Sequence, residues 1–451
     1  MDTYTRVDVR QYIDDRPVGK YQFLLIFLVF LIIACDGIDI AAMAFFAPEI
    51  IKEWGVTKQS MGSALSSVFF GVAAGAFISG PIADRFGRKS VVTASVLLFG
   101  GLTAAAALST NITELIMFRL SAGVGLGAAL PNAVTLISEL APARRRSLIV
   151  TIVYSGFTVG ATAAGLCSSW MIQLFGWRHS LALAGLLPVV LGLALLVVLP
   201  ESPIFLAVRG SKDFDIRKTL HRLSRRIDLD ANTIFFAPAK DIVKTSSARA
   251  IVSREHIVVT TTLCLGYLMA SFVIYCLFNW MPVMAREAGF SRERAAVITS
   301  VFTLAGPLGS IVLGAFMDRV QATTVLIVAS LAAALVLWLM STTPGSFSIL
   351  CALSFITGFF IHGTATGLNA LASRVYPAAV AATGISWMQA VGKFGGISSG
   401  FAGGVMLGWG WSLSNILFAL AVPALVCAAA MLVLDRSRRR LASSQASVAS
   451  T

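Results

Sequence analysis

Apolar residues in this chain form long runs, not the strict alternation of a half-buried strand or the single stripe of a surface helix. A run of about 20 mostly apolar residues can cross a bilayer as a helix. Twelve such runs occur, at 22–47, 59–82, 90–109, 114–138, 148–172, 178–199, 257–282, 294–317, 323–341, 347–373, 381–407 and 411–434. None alternates as a membrane strand would. The breaks are turn-like: Pro48 lies just past the first run, Thr343, Pro344 and Gly345 part the ninth from the tenth, and Leu407 to Trp411 precede the last. The longest interruption, 200–256, leaves six runs on each side. The pattern predicts an all-α membrane protein with twelve transmembrane helices. Its parts are a tail over 1–21, a six-helix bundle over 22–199, a central loop over 200–256, a second six-helix bundle over 257–434 and a tail over 435–451.

Composition supports this. Of the 451 residues, 57% are hydrophobic and only 13% charged, against about 25% charged in soluble domains. Lipid must cover much of the surface, which excludes a secreted disulfide scaffold, a disordered chain and an ordinary cytosolic enzyme. All six cysteines lie in apolar runs without metal-ligand spacing and are read as packing residues. The first run is too long for a signal-peptide core and holds two aspartates, so no cleavable signal peptide is expected.

The net charge of +13 raises nucleic acid as a partner, but the placement of the cations decides otherwise. With the N-terminus inside, cytoplasmic segments hold 26 of the 35 Lys and Arg. Outer loops hold six, namely Lys52, Lys58, Arg178, Arg286, Arg292 and Arg294, and Arg119, Arg374 and Lys393 fall within runs. This asymmetry places both termini in the cytoplasm and accounts for the charge without nucleic acid.

A weak internal repeat joins the halves. Gly80-Pro-Ile-Ala-Asp84-Arg85 follows the second run, and Gly314-Ala-Phe-Met-Asp318-Arg319 follows the eighth, 234 residues later. At an offset of 235, Pro142 matches Pro377, Gly123 matches Gly358 and Gly160 matches Gly395. Two parallel halves of six helices are pseudo-symmetric, as in one large transporter architecture.

The stretch Gly80-Pro-Ile-Ala-Asp84-Arg85-Phe-Gly87-Arg88-Lys89 resembles the loop 2–3 signature of the major facilitator superfamily. An Asp beside three cations at a helix end can form a charge-assisted network that latches one conformational state and releases another. Within the superfamily the chain is similar to the aromatic acid:proton symporters. Asp36-Gly-Ile-Asp39 matches their span-one motif, Arg119 through Pro131-Asn132 with Glu139 matches span four, and Thr383-Gly384-Ile-Ser-Trp387 with Gly392-Lys393 matches span eleven. Two positions depart from that pattern. Ala381 stands where relatives usually carry Arg, and Lys393 where they usually carry Arg after Gly. The second-half loop keeps Asp318 and Arg319 without the later cation pair.

Charges within a membrane span are costly and are read as functional. Asp36 and Asp39 are three apart and share a helix face; two carboxylates so close in low dielectric do not both ionise readily, which suits a proton carrier. Arg119 lies at similar depth and either pairs with an aspartate or binds a carboxylate substrate through its planar fork. Lys393 lies near the midplane, where it fits an anionic substrate. Tyr275, Asn279 and Trp387 are the candidate lining residues for an aromatic ring. Gly80, Asp84, Arg85, Gly87, Arg88, Lys89, Glu139, Asp318 and Arg319 are the candidate gating set. No nucleotide loop, zinc pair or Ser-His-Asp constellation is legible, so no enzyme, cofactor or metal is expected. The resemblance implies import of a small aromatic carboxylate of the benzoate or hydroxybenzoate class with protons, by alternating access. It also implies a monomer in the inner cell membrane. A symporter for an aliphatic carboxylate, an exporter, and a membrane sensor or channel are the competing readings.

Overall fold

The computed structural model describes residues 5–209, 213–223, 233–236, 256–343, 345–376 and 378–449. Pro344, the repeat residue Pro377 and most of the 200–256 loop lie outside them. The long helices are α2 (Lys20–Trp54), α3 (Lys58–Phe86), α4 (Arg88–Ala106), α5 (Ile112–Leu140) and α6 (Ala143–Val198) in the first half. They are α9 (Ile257–Glu287), α10 (Arg292–Arg319), α11 (Ala322–Thr342), α12 (Phe347–Val375), α13 (Ala378–Gly408) and α14 (Leu413–Ala449) in the second. Ten of these are long and apolar enough to cross a membrane. The 31-residue α13 is not one of them, because its many Gly and Ser together with Gln389 and Lys393 dilute its apolarity. The 56-residue α6 is two spans broken at Gly176, whose φ of 73° and ψ of 168° leave helical space. A side chain would strain that left-handed φ, so Gly176 permits the turn between the fifth and sixth runs. That makes eleven among the described residues, and α13, long enough at 31 residues, makes the twelfth helix expected.

Short elements flank them: β1 (Thr5–Asp8), α1 (Val9–Asp14), α7 (Pro203–Val208), α8 (Asp213–Leu223) and β2 (Thr233–Phe236). β1 pairs in parallel with β2, Thr5 opposite Thr233 and Asp8 opposite Phe236. Large apolar side chains such as Phe77, Leu108 and Val197 are exposed, as a lipid-facing surface requires.

Backbone proximity divides the chain into two compact units. One comprises Met1–Ile40, Phe70–Gly160 and Arg178–Ile242; the other comprises Ala41–Phe69, Ala161–Trp177 and Val243–Thr451. Helices α2, α3 and α6 contribute to both. In the first unit α3 crosses α5 at glycines: a Cβ on Gly75 would lie 2.0 Å from the Val124 carbonyl oxygen. In the second, α10 crosses α12 in the same way, with a Cβ on Gly309 falling on the Phe359 carbonyl oxygen at 1.9 Å. Such close backbone approach is how membrane helices associate without a hydrophobic driving force. Gly75 and Gly309 are 234 residues apart, and Val124 and Phe359 are 235 apart. The offset of the loop motifs therefore recurs in the packing, which makes the internal repeat structural.

In the second unit, ends that the charge pattern places outside are tied by ion pairs. Glu49 of α2 meets Arg292 of α10 at 2.6 Å, and Lys58 of α3 meets Glu287 of α9 at 2.5 Å.

Candidate functional site

Three helices of the first unit converge on Asp39. Arg119 of α5 donates from Nη1 to its Oδ2 at 2.8 Å, and Thr103 of α4 donates from Oγ1 to its Oδ1 at 2.6 Å. Asp39 and Arg119 are each only 1% exposed. Removing one partner of such a pair leaves an uncompensated buried charge, at a cost of about 3–5 kcal/mol. The second bond, from Thr103, fills the other carboxylate oxygen. The guanidinium is less fully used: Arg119 Nε is buried without a hydrogen-bond partner among the described residues. Asp36, three residues earlier on α2, is half-buried and lines a small cavity with Phe99, Leu126 and Leu130. Of the two roles open to Arg119, pairing with an aspartate is the one this arrangement displays. Thr103 was missed by the sequence reading, and its signal is no more than one hydroxyl in an apolar run.

The second unit holds the other candidates. Lys393 on α13 is half-buried. Beside it the ring of Tyr267 crosses α13 at Gly392, where a Cβ would lie 2.4 Å from the ring. Tyr275 packs edge-on against Phe69, ring centroids 4.7 Å apart. Asn279 is buried, and its Nδ2 has no hydrogen-bond partner among the described residues. Trp387 is 44% exposed. The side chain of Ala381 lies outside the description.

The loop 2–3 signature lies at the junction of α3 and α4. Asp84 is 73% exposed and bonds Arg88 at 3.1 Å, and Arg88 in turn approaches Glu139 of α5 at 3.7 Å. Exposed pairs contribute little to stability, so any latch here depends on the whole network. Gly80 has open space where a side chain would stand. The Arg85 carbonyl accepts a bond from Arg209. Gly87 has φ +93° and caps α4. The residue behind this geometry is Glu201, which the sequence reading passed over. Its Oε1 accepts the N–H groups of Arg88 at 2.9 Å and Lys89 at 3.2 Å. A carboxylate at a helix N-terminus satisfies orphan donors and the helix dipole together. An acidic residue between Pro200 and Pro203, just where the sixth run ends, is the signal that could have marked it. Arg10, also missed, donates to the carbonyls of Ser138, Glu139 and Ala141 at the end of α5.

In the second-half copy, Asp318 pairs with Arg374 at 2.5 Å. Arg374, counted within a run on sequence, stands in the last turn of α12 and is exposed. Arg319 ends α10 and is exposed.

Gly87→Ala should be costly. The new Cβ would stand 2.0 Å from Glu201 Oε2 on a left-handed backbone. A loss of about 1–3 kcal/mol is expected, read as a lower melting temperature of the detergent-purified protein. An unchanged melting temperature would contradict the capping role of Glu201.

Comparison with known proteins shows the family and the fold. The family model of the Major Facilitator Superfamily matches residues 29–241 and 263–450. The chain is 38% identical over 427 residues to the 4-hydroxybenzoate transporter PcaK of Pseudomonas putida, covering 95% of each chain. It is 38% identical over 434 residues to a gallate transporter of Pseudomonas putida, covering 96% of each. The fold superposes on the crystal structure of a D-xylose-proton symporter with a TM-score of 0.70 at 15% identity, covering 91% of this chain and 97% of that one.

Proposed function

The chain belongs to the Major Facilitator Superfamily, and on that footing we propose that it imports a small aromatic carboxylate of the benzoate or hydroxybenzoate class together with protons, by alternating access. It is a multi-pass membrane transporter and not an enzyme. The proposal places it in the inner membrane as a monomer with both termini cytoplasmic. The substrate class rests on relatives that span almost the whole chain and are named for 4-hydroxybenzoate and gallate.

The observation that carries the coupling is the buried Asp39–Arg119 pair, with Asp36 one helical turn away. A proton on Asp39 discharges its half of the pair. Arg119, whose Nε is already without a partner among the described residues, is then released toward a carboxylate substrate. Proton and anion are thereby taken up together, because a buried guanidinium needs one anion at a time. Asp36 supplies a second proton site beside the first. Within the second unit, Lys393 is the proposed partner for a carboxylate, and Tyr275, Asn279 and Trp387 are the proposed contacts for a ring. Gly80, Asp84, Arg85, Gly87, Arg88, Lys89 and Glu139, with Asp318 and Arg319, govern the change between states.

The role of Lys393 has a direct test. Lys393→Gln should weaken binding of a labelled benzoate by about 10- to 100-fold, the worth of a hydrogen bond to a charged group. An uncharged ring analogue, poor to begin with, should lose little more. Equal loss for both ligands would make Lys393 structural.

A further inference from the structure

Besides Lys393, the second unit holds a polar cluster that the reading above does not use. Gln389 and Lys393 are one helical turn apart on α13, a rise of about 6 Å. Gln389 is exposed and Lys393 half-buried. Gln389 Nε2 donates to Asn369 Oδ1 of α12 at 2.9 Å, and Asn369 Nδ2 donates to the Ala365 carbonyl at 3.0 Å. The ring of Tyr267 of α9 packs against α13 at Gly392, next to Lys393. Tyr267 is held in place because Gly392 leaves room for its ring. Asn369 is thus held on α12 by the Ala365 carbonyl, and it fixes one end of the Gln389 amide. The other end has no partner among the described residues. This holds in either orientation of the amide, since one polar atom is always left over.

Polar side chains at membrane depth face protein or a watery path, not lipid. A cation and a spare amide group stand one turn apart on one helix face, a backbone rise of about 6 Å, and their long side chains can reach the carboxylate and the hydroxyl at opposite ends of one benzene ring. We infer that Gln389, positioned by Asn369, binds a ring hydroxyl of the substrate while Lys393 holds its carboxylate, so that the chain selects hydroxylated aromatic acids over unsubstituted benzoate. The inference rests on the aromatic-carboxylate reading. Its physical basis is that a site built to hydrogen-bond a substrate hydroxyl rejects the analogue lacking it.

The test measures initial uptake of labelled 4-hydroxybenzoate and labelled benzoate by cells expressing the full chain, with membrane abundance checked by immunoblot. Wild type should prefer 4-hydroxybenzoate. Gln389→Met, similar in length but without hydrogen-bonding groups, should lower 4-hydroxybenzoate uptake about tenfold and leave benzoate nearly unchanged. Asn369→Leu, which removes the partner of the Gln389 amide, should act in the same direction and less strongly. An equal fall for both ligands, an unchanged preference, or loss of both at normal abundance would overturn the assignment. Wild type carrying neither ligand would contradict the substrate class itself. Carriage of both without preference would contradict the hydroxyl assignment alone.

Discussion

Asp39→Asn is expected to bring the substrate ratio across a sealed vesicle to unity under a proton gradient, while exchange at equal pH survives. Asparagine keeps the shape of the side chain and can still accept the Thr103 hydroxyl, now 2.6 Å from Asp39 Oδ1. It cannot take up or release a proton. One pH unit is worth about 1.4 kcal/mol per proton, or about tenfold accumulation for each proton coupled. That factor is what the substitution should remove. Asp36→Asn should act in the same direction, because it stands one turn away on the same helix. Full accumulation by both variants would remove the aspartates from the coupling step.

Arg119→Gln carries the second large effect, and on stability as well as transport. It strands the Asp39 carboxylate where only 1% of the side chain is exposed. The expected cost is about 3–5 kcal/mol, which corresponds to a fall in melting temperature on the order of 10 °C. The double variant Asp39→Asn with Arg119→Gln removes both charges and should recover most of that loss, since two neutral polar partners at this depth can hydrogen-bond. Transport should not recover. Equal melting temperatures for the single and double variants would mean that the pair is not coupled, and active transport by the double variant would mean that it has no part in the reaction.

The spans were legible in the sequence because a bilayer imposes one length on every crossing and the breaks carry Pro and Gly. The repeat was legible for a different reason. Asp84 and Asp318 are spaced as Gly75 and Gly309 are, and a glycine wedged against a backbone cannot be exchanged freely. The Asp39–Arg119 pair was half legible. Counting residues along a helix gives depth, but it does not give the direction in which a neighbouring helix faces, so pairing with substrate and pairing with Asp39 stood level. Thr103 was not legible, because it acts through a partner more than 60 residues away in sequence, and Glu201 left only its place between Pro200 and Pro203 as a signal, its partners Arg88 and Lys89 being more than 100 residues away. Gly87 illustrates the limit of a motif. The signature marks it, but only its φ of +93° and the carboxylate above it say why glycine stands there. Arg374 was placed within a span by its apolar neighbours, whereas its long side chain reaches Asp318 from the last turn of α12.

Coupled transport of an aromatic acid is tested most directly with purified protein in sealed liposomes, using labelled 4-hydroxybenzoate, an inward proton gradient and the membrane potential held at zero. Uptake should rise above the equilibrium level while the gradient lasts, and collapse when an uncoupler is added. Uptake that stops at equilibrium with or without the gradient would contradict proton coupling, and absence of uptake for every benzoate tried would contradict the substrate class.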